Sequence, residues 1–272
     1  MVFMFWANLV YSTALVFFNM LLFFSIAMLD RNNAAIDMAW SLGFMLVALT
    51  TIIRTGTYEP RQMLATTLVL IWGFRMTLYL FFRTMEIKGL KGFRYKATKG
   101  PAAKRAKKPD FRDVAQGFLS QVVLMLIVLL PLILINSTMD STLTALDMAG
   151  TSLWLVGFFF QAVADLQVYL FKRNPKNTDK ILTTGLWKFS RHPNYFGEVC
   201  MWWGIWLMAL AVPGGIYTVV GPLTITYLLL HVSGVPMAEE AYKGNREYQK
   251  YKKRTSKFLP WFPKAQKRAK RG

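Results

Sequence analysis

The 272-residue chain contains one cysteine, Cys200, and only two histidines, His192 and His231. Cys200 lies inside an apolar run, so the sequence offers neither a disulfide framework nor a thiolate metal site. Two histidines are too few for a self-contained metal site, and we expect no metal. The chain also lacks the G-x-G-x-x-G, Walker and G-x-S-x-G patterns, which removes the sequence support for a Rossmann, P-loop or serine-hydrolase fold.

Acidic residues are scarce as well. The chain has 14 Asp and Glu against 33 Lys and Arg, a formal net charge of +19. A soluble protein this basic would usually bind nucleic acid. Here 54% of the residues are hydrophobic, and they are gathered into runs of roughly 20, the length that crosses a hydrocarbon core of about 30 Å. The sequence therefore predicts an integral membrane protein with no nucleic acid partner.

The apolar runs predict an all-α fold of about seven transmembrane helices in a single polytopic domain, 1–272. The first run lacks a basic leader and a cleavage site, so we expect a retained helix. The last two runs are separated only by VPGG, a turn that suits a tight helical hairpin. The predicted spans are 4–28, 34–53, 63–86, 114–136, 149–171, 195–211 and 213–231.

Basic residues alternate between the connections. Ten lie in 87–113, six in 172–194 and twelve after residue 231, whereas 137–148 and VPGG have none. The positive-inside rule then places these two basic loops and the basic C-terminal segment, 232–272, in the cytoplasm and the N-terminus outside. We expect a bacterial inner membrane or, in a eukaryote, the endoplasmic reticulum.

Attraction to anionic membrane lipids accounts for most of these charges. The loops, however, also interleave aromatic residues, Asn and His with the basic residues, as in GFRYK, KRNPKNTDK and SRHPNY. A pure topology signal does not need that mixture. An anionic cofactor with several phosphates fits it, because Arg supplies forked donors to phosphate oxygens.

Polar residues inside the spans are functional candidates, because ionisable groups are costly at membrane depth. In the third span, Arg75, Tyr79 and Arg83 repeat every four residues on one helical face. Asp37 lies in the second span and pairs with one of these arginines or faces a substrate.

A second polar face runs along the fifth span. It carries Gln161, Asp165 and Tyr169, and it ends at a basic loop. Asn194 and Glu198 share the first turns of the sixth span, where a carboxylate also suits the helix N-terminus. We expect a polar cleft between helices that opens toward the cytoplasm.

The segment GLWKFSRHPNYFGEVCMWWG, preceded by ADLQVYLFKRNPKN and followed by REYQKYKKRTSKFLPWFP, resembles the steroid 5-alpha-reductase-like membrane family, in its bacterial-type branch. The same superfamily includes sterol reductases and isoprenylcysteine carboxyl methyltransferases. The resemblance implies a seven-helix bundle that holds NADPH through its cytoplasmic loops, with the nicotinamide at a membrane-accessible cavity.

The resemblance and the basic ends of the spans together give a predicted cofactor-binding set. It comprises Arg83, Asp165, Lys172, Arg173, Arg191, His192, Asn194, Tyr195, Tyr242, Arg246, Tyr248, Tyr251 and Arg254.

The catalytic residues are where this chain departs from the family pattern. Steroid-reducing members have a Tyr at the position of Trp72, three residues before the matching Arg75, and a Gln-Glu pair that is missing here. We therefore expect an apolar, lipid-like substrate with an enone-like double bond instead of a 3-oxo steroid. Tyr79 is the predicted proton donor, with Asp37 as second choice and Arg75 beside it.

Two other functions remain open. RHPNY and the later EE with paired tyrosines also suit the isoprenylcysteine-type methyltransferases, which use S-adenosylmethionine. That cofactor has no phosphates, so it gives less reason for clustered Lys and Arg. The third reading is a non-enzymatic membrane protein that binds or transports lipid.

Overall fold

The computed structural model describes residues 1–30, 34–90, 111–139, 142–177 and 180–264, with backbone alone at 28–30, 34–37, 84–90 and 111–115. Over these residues the chain is helical and contains no β-strand, apart from an isolated bridge between Ser190 and Ser256. The α-helices are α1 Val2–Asp30, α2 Ala34–Thr55, α3 Pro60–Leu90, α4 Phe111–Asn136, α5 Ala145–Arg173, α6 Pro193–Ala209, α7 Val220–Tyr227, α8 Val235–Glu240 and α9 Arg246–Arg254.

The predicted all-α membrane fold is confirmed. Within the described ranges, six helical stretches are long and apolar enough to span a membrane: Val2–Ala27, Met38–Thr55, Pro60–Arg83, Gln116–Asn136, Ala145–Arg173 and Gly215–Glu240. The predicted span 195–211 corresponds to α6, which has 17 residues. The number of spans and their orientation stay predictions.

Local sequence explains where several helices begin and end. Pro60 and Pro193 occupy the first turns of α3 and α6, where a missing N–H costs nothing. Asn245 caps α9 by accepting a hydrogen bond of 3.0 Å from the backbone of Tyr248. The C-terminal end of α5 is followed by Pro175, which cannot continue a helix.

The chain divides into two compact units. Unit 1 comprises 1–143 and 212–218, and unit 2 comprises 144–211 and 219–272. Unit 1 packs α1 to α4 against one another. Its core is largely apolar and includes hydrogen-bonded polar side chains such as Asn136, whose Nδ2 lies 2.9 Å from Thr51 Oγ1 and 3.1 Å from Thr66 Oγ1.

Unit 2 is built on a close antiparallel contact between α5 and α6. A Cβ atom on Gly157 would lie 2.5 Å from the carbonyl oxygen of Gly197, and one on Gly150 would lie equally close to that of Gly204. The two glycines of each helix are seven residues apart, so both contacts fall on one face. Small residues let transmembrane backbones approach in this way, and the contact fixes the register between α5 and α6.

The predicted last span, 213–231, is a composite of several helix types. Its apolar stretch begins with the 3₁₀ turn Gly215–Val219, continues through α7, and ends in the π-helical turn Leu228–Val232 before α8. The predicted VPGG turn is present, and Gly214 adopts a φ of 79°, which glycine accepts without strain.

Candidate functional site

The loop that leads into α6 is tied to α5. The backbone N–H of Leu186 donates to Gln167 Oε1 at 3.0 Å, and the indole Nε1–H of Trp187 donates to the carbonyl of Ala164 at 3.2 Å. Gly185 precedes them with a φ of 62°. These contacts seat the basic loop on α5.

The C-terminal segment after α9 holds the same loop from another side. The backbone N–H of Arg191 donates to the carbonyl of Ser256 at 2.9 Å. The hydroxyl of Ser190 donates to the carbonyl of Phe258 at 2.7 Å and accepts from the backbone N–H of His192 at 3.1 Å. The backbone around the RHPN motif is thereby fixed, which is how a preorganised binding site is built.

Arg191, His192, Asn194 and Glu239 form the group that we call the Arg191 cluster. Glu239 Oε1 lies 3.0 Å from Arg191 Nη1 and 3.4 Å from His192 Nε2. Its other oxygen lies 2.5 Å from Lys252 Nζ. The Arg191 and His192 side chains are buried and Glu239 is nearly so, so the carboxylate offsets positive charge that burial would otherwise make costly.

His192 is neutral near pH 7. Burial lowers the pKa of His192 from 6.5 to about 4, helped by the nearby charges of Arg191 and Lys257 and opposed by Glu239. Its ring stacks on Tyr195 with centroids 5.4 Å apart and planes within 6°. A neutral, stacked imidazole presents a flat face and does not add to the local positive charge.

Three polar atoms of the cluster are buried without a hydrogen-bond partner among the described residues: Arg191 Nε, Arg191 Nη1 and Asn194 Oδ1. Arg191 Nη1 is close to Glu239, but it lacks hydrogen-bond alignment. The amide nitrogen of Asn194 donates to Asp165 Oδ1 at 3.3 Å, so only the oxygen side of this amide is open. One donor and one acceptor are therefore available to a ligand, and buried groups in native structures rarely stay unpaired.

A second polar bridge lies one helical turn deeper between α5 and α6. Gln161 Nε2 donates to Glu198 Oε2, and Trp202 Nε1 donates to Glu198 Oε1 at 2.8 Å. Gln161 and Glu198 are both buried. Glu198 thus holds α5 and α6 together, a role beyond the N-terminal charge effect expected from its position.

The tyrosines of the C-terminal segment are mainly packed inward. Tyr248 and Tyr251 are buried on one face of α9, and burial raises the pKa of each phenol above its usual range. Tyr248 stacks on Tyr242 with centroids 4.9 Å apart. The hydroxyl of Tyr251 donates to the carbonyl of Trp187, so it anchors the loop.

The remaining basic residues of the predicted cofactor set are exposed. Lys172 and Arg173 end α5, and Arg246 and Arg254 lie at the two ends of α9. Arg173 Nη1 lies 3.4 Å from the hydroxyl of Tyr169. The fifth-span polar face therefore does end in accessible cations, as predicted.

The predicted catalytic residues belong to unit 1. Arg75 and Tyr79 are half-buried on α3, and Arg83 is exposed. The Asp37 side chain lies outside the described residues. Trp72 is buried and packs edge-on against Phe44, with centroids 5.5 Å apart. Trp72 is thus a packed core residue, whereas Tyr79, seven residues further along α3, is partly exposed.

Glu239 and Lys252 were not among the predicted site residues. The signal for Glu239 was its pair with Glu240 shortly before the tyrosines of α9, but the chain places it 47 residues from His192. Across the residues whose placement is described, no group of three or more His, Cys, Asp or Glu is positioned to hold a metal ion.

Comparison with known proteins gives a family match. No curated protein and no solved structure matches the chain. A family model described as a protein of unknown function, DUF1295, matches residues 23–255. That range covers both the polar stripe of α3 and the Arg191 cluster, and the chain belongs to the DUF1295 family.

Proposed function

We propose that this membrane protein is an NADPH-dependent reductase of a conjugated, enone-like double bond in a lipid or steroid-like substrate. The observations that carry the proposal are the buried Nε–H of Arg191 and the buried Oδ1 of Asn194, three residues further along the chain, neither of which has a hydrogen-bond partner among the described residues. A guanidinium N–H suits a phosphate or other anionic oxygen. A side-chain amide oxygen suits an N–H of a carboxamide or of adenine. NADPH carries all of these groups.

The surroundings of the cluster support a cofactor with several negative charges. Lys172, Arg173 and Arg246 are exposed cations of the same unit, with long side chains that adapt to phosphates. The exposed ring of Tyr242, which stacks on the buried Tyr248, offers an aromatic surface. The resemblance of the RHPNY motif to that of membrane reductases supports the same cofactor.

In this proposal NADPH supplies the hydride. The residues of this chain bind and orient the cofactor and polarise the substrate. Arg191 and Asn194 hold polar groups of the cofactor, and Asp165 fixes the Asn194 amide so that its oxygen stays free. His192 is neutral at pH 7 and serves as a stacking surface, not as an acid. The apolar helices admit the lipid-like substrate from the membrane.

The proposed donor to the substrate oxygen is Tyr79. A phenol can deliver a proton to the enolate-like oxygen that develops during reduction, whereas the indole of Trp72 cannot. Tyr79→Phe keeps the ring and removes the hydroxyl. General acid assistance is typically worth about 10²- to 10⁴-fold, so turnover should fall by that order with little change in NADPH affinity. Full turnover in Tyr79→Phe together with loss in Trp72→Phe would overturn the Tyr79 assignment and give the polarising hydrogen bond to the indole N–H of Trp72.

One observation favours a second function. Glu239 neutralises Arg191, so the centre of the cluster is less positive than a purely phosphate-binding site would be. S-adenosylmethionine, a sulfonium with a carboxylate, matches such a mixed charge, and RHPNY with EE also resembles the methyltransferase branch. The alternative is therefore an S-adenosylmethionine-dependent methyltransferase.

Titration calorimetry on the detergent-purified protein separates these readings. The proposal expects NADPH to bind, NADH to bind more weakly and S-adenosylmethionine not to bind. S-adenosylmethionine binding without NADPH binding would establish the methyltransferase. Binding of neither, with lipid retained by the purified protein, would leave a lipid-binding or transport role and overturn both enzymes.

A further inference from the structure

Three large apolar side chains stand exposed in the C-terminal segment that follows α9. Leu259, Trp261 and Phe262 expose 63%, 70% and 77% of their surface. We call these three residues the aromatic foot. They lie outside the six stretches that are long and apolar enough to cross a membrane, so lipid tails around a spanning helix do not account for them. An exposed apolar patch of this kind normally marks a contact with a partner.

The foot is held in place. The backbone N–H of Trp261 donates to the carbonyl of Phe189 at 2.9 Å, and the ring of Phe262 meets that of Phe189 edge-on at 5.9 Å. The backbone N–H of Lys264 donates to the carbonyl of Arg254 at 2.9 Å. Pro260 and Pro263 also restrict the backbone on either side of the two aromatic residues. These contacts therefore hold the three apolar side chains in a fixed and exposed position.

Positive charge surrounds the foot along the chain. The helix α9 carries five Lys or Arg and one Glu, and its inward face is occupied by Tyr248 and Tyr251. The basic side chains other than Lys252, which pairs with Glu239, consequently point outward. Lys257 and Lys264 are exposed on the two sides of the foot. Bulky apolar residues bracketed by cations are the pattern of a segment that lies in a membrane interface.

We propose that the aromatic foot inserts into the headgroup layer of an anionic bilayer, with the cations of α9 and Lys257 against the lipid phosphates. Trp prefers this depth because its ring is apolar and its N–H stays hydrated. Anionic headgroups complement the basic helix, which favours a lipid surface over a second protein. Since the foot is hydrogen-bonded to the loop that carries Arg191, the bilayer surface would also brace that loop. This proposal is independent of which reaction the protein performs.

The test places an environment-sensitive label on the foot. In a Cys200→Ala background, Phe262→Cys is labelled with a nitrobenzoxadiazole dye and reconstituted in phosphatidylglycerol-containing vesicles. Lipids that carry a nitroxide near the headgroup should quench the label strongly, and lipids with a nitroxide at the chain end should quench it weakly. Aqueous iodide should have little effect. Quenching by shallow nitroxide should decrease in vesicles of phosphatidylcholine alone.

Lys176→Cys, at an exposed position in the loop after α5, is the matched control and should be quenched by iodide. Leu259→Cys repeats the measurement if the Phe262→Cys protein does not fold. Iodide quenching of the foot label at the level of the control would overturn the proposal. Shielding that persists in detergent and increases with protein concentration would also overturn it, because it would assign the foot to a contact between two copies.

Discussion

Two asparagines show how differently the two units use polar side chains. In unit 1, the Nδ2 of Asn136 has acceptors on Thr51, Thr66 and Ala48 within 2.9–3.3 Å, and its Oδ1 accepts from Thr66 at 3.3 Å. In unit 2, Asn194 donates to Asp165, and its Oδ1 is buried with no partner among the residues described. Both the nitrogen and the oxygen of the Asn136 amide are hydrogen-bonded, whereas among the described residues only the nitrogen of the Asn194 amide is.

The same contrast separates two arginines, Arg54 and Arg191. Arg54 in unit 1 donates from Nε to Asn8 Oδ1 at 3.3 Å and stacks over the ring of Tyr11 at 3.3 Å. Arg191 in unit 2 is more deeply placed, and its Nε has no partner in the part of the chain that is described. A hydrogen-bonded polar group fixes helices against each other, whereas a buried polar group without a hydrogen-bond partner is available to a ligand. The comparison therefore assigns structural work to the Asn136 group and binding to the Arg191 cluster.

Replacing Arg191 should have the largest effect among the tests of this comparison. Arg191→Ala removes the open Nε–H, and a hydrogen bond to a charged group is worth about 1.5–3 kcal/mol. NADPH affinity, measured by calorimetry, should fall roughly 10- to 100-fold by the same reasoning. Arg54→Ala is the matched control, because its Nε is already engaged inside unit 1, and it should leave NADPH affinity unchanged. Equal losses in both variants would erase the distinction between the two arginines.

Asn136→Leu should lower the stability of the protein and leave its NADPH affinity unchanged. The substitution keeps the branched shape of the side chain and removes interhelical hydrogen bonds that average about 0.6 kcal/mol each in membrane proteins. Three such bonds give a stability loss of about 2 kcal/mol, read as a lower melting temperature in detergent. NADPH affinity of the folded fraction should not change. A variant that melts normally but binds NADPH poorly would show that Asn136 is not merely structural.

Much of the fold was predictable because its signals are local. Apolar runs and prolines define α1 to α6, and each predicted start or end lies within four residues of the observed one. The composite end of the last span was not predicted: the apolar run continues through the π-helical turn Leu228–Val232 without a change in its hydrophobic pattern.

Only the part of the candidate site that comes from neighbouring sequence positions was predictable. Arg191, His192 and Asn194 are adjacent in sequence, and the four-residue spacing of Gln161 and Asp165 put them on one face of α5. Glu239 is brought to His192 across 47 residues, and sequence spacing cannot reveal such a distant pair. The inward orientation of Tyr251 was missed for the same reason, because its hydroxyl bonds to a backbone carbonyl of the distant Trp187.

The smallest expected effect is on pH dependence, and it concerns the buried imidazole of the Arg191 cluster. The folded-state pKa of His192 is about 4, against 6.5 for an ordinary histidine, and burial is the main cause. Below pH 6.5 the unfolded chain therefore binds a proton that the folded chain refuses, and this favours unfolding. The stability present above pH 6.5 is lost progressively as the pH falls toward 4. By about pH 5.5 the loss from this group should be about 1 kcal/mol, since one pKa unit corresponds to about 1.4 kcal/mol.

Melting curves in detergent at pH 7 and at about pH 5.5 measure this loss. His192→Gln removes the titrating group, so the difference between its two melting temperatures should be smaller than in the parent protein. His231→Gln, which replaces the exposed side chain of the only other histidine, should keep the parental difference. If His192→Gln retained the full pH-dependent loss, the imidazole would not be excluded from protonation in the folded state. The neutral, stacked His192 of the Arg191 cluster would then have to be replaced by a cationic one, which would strengthen the anion-binding reading of the site over the methyltransferase alternative.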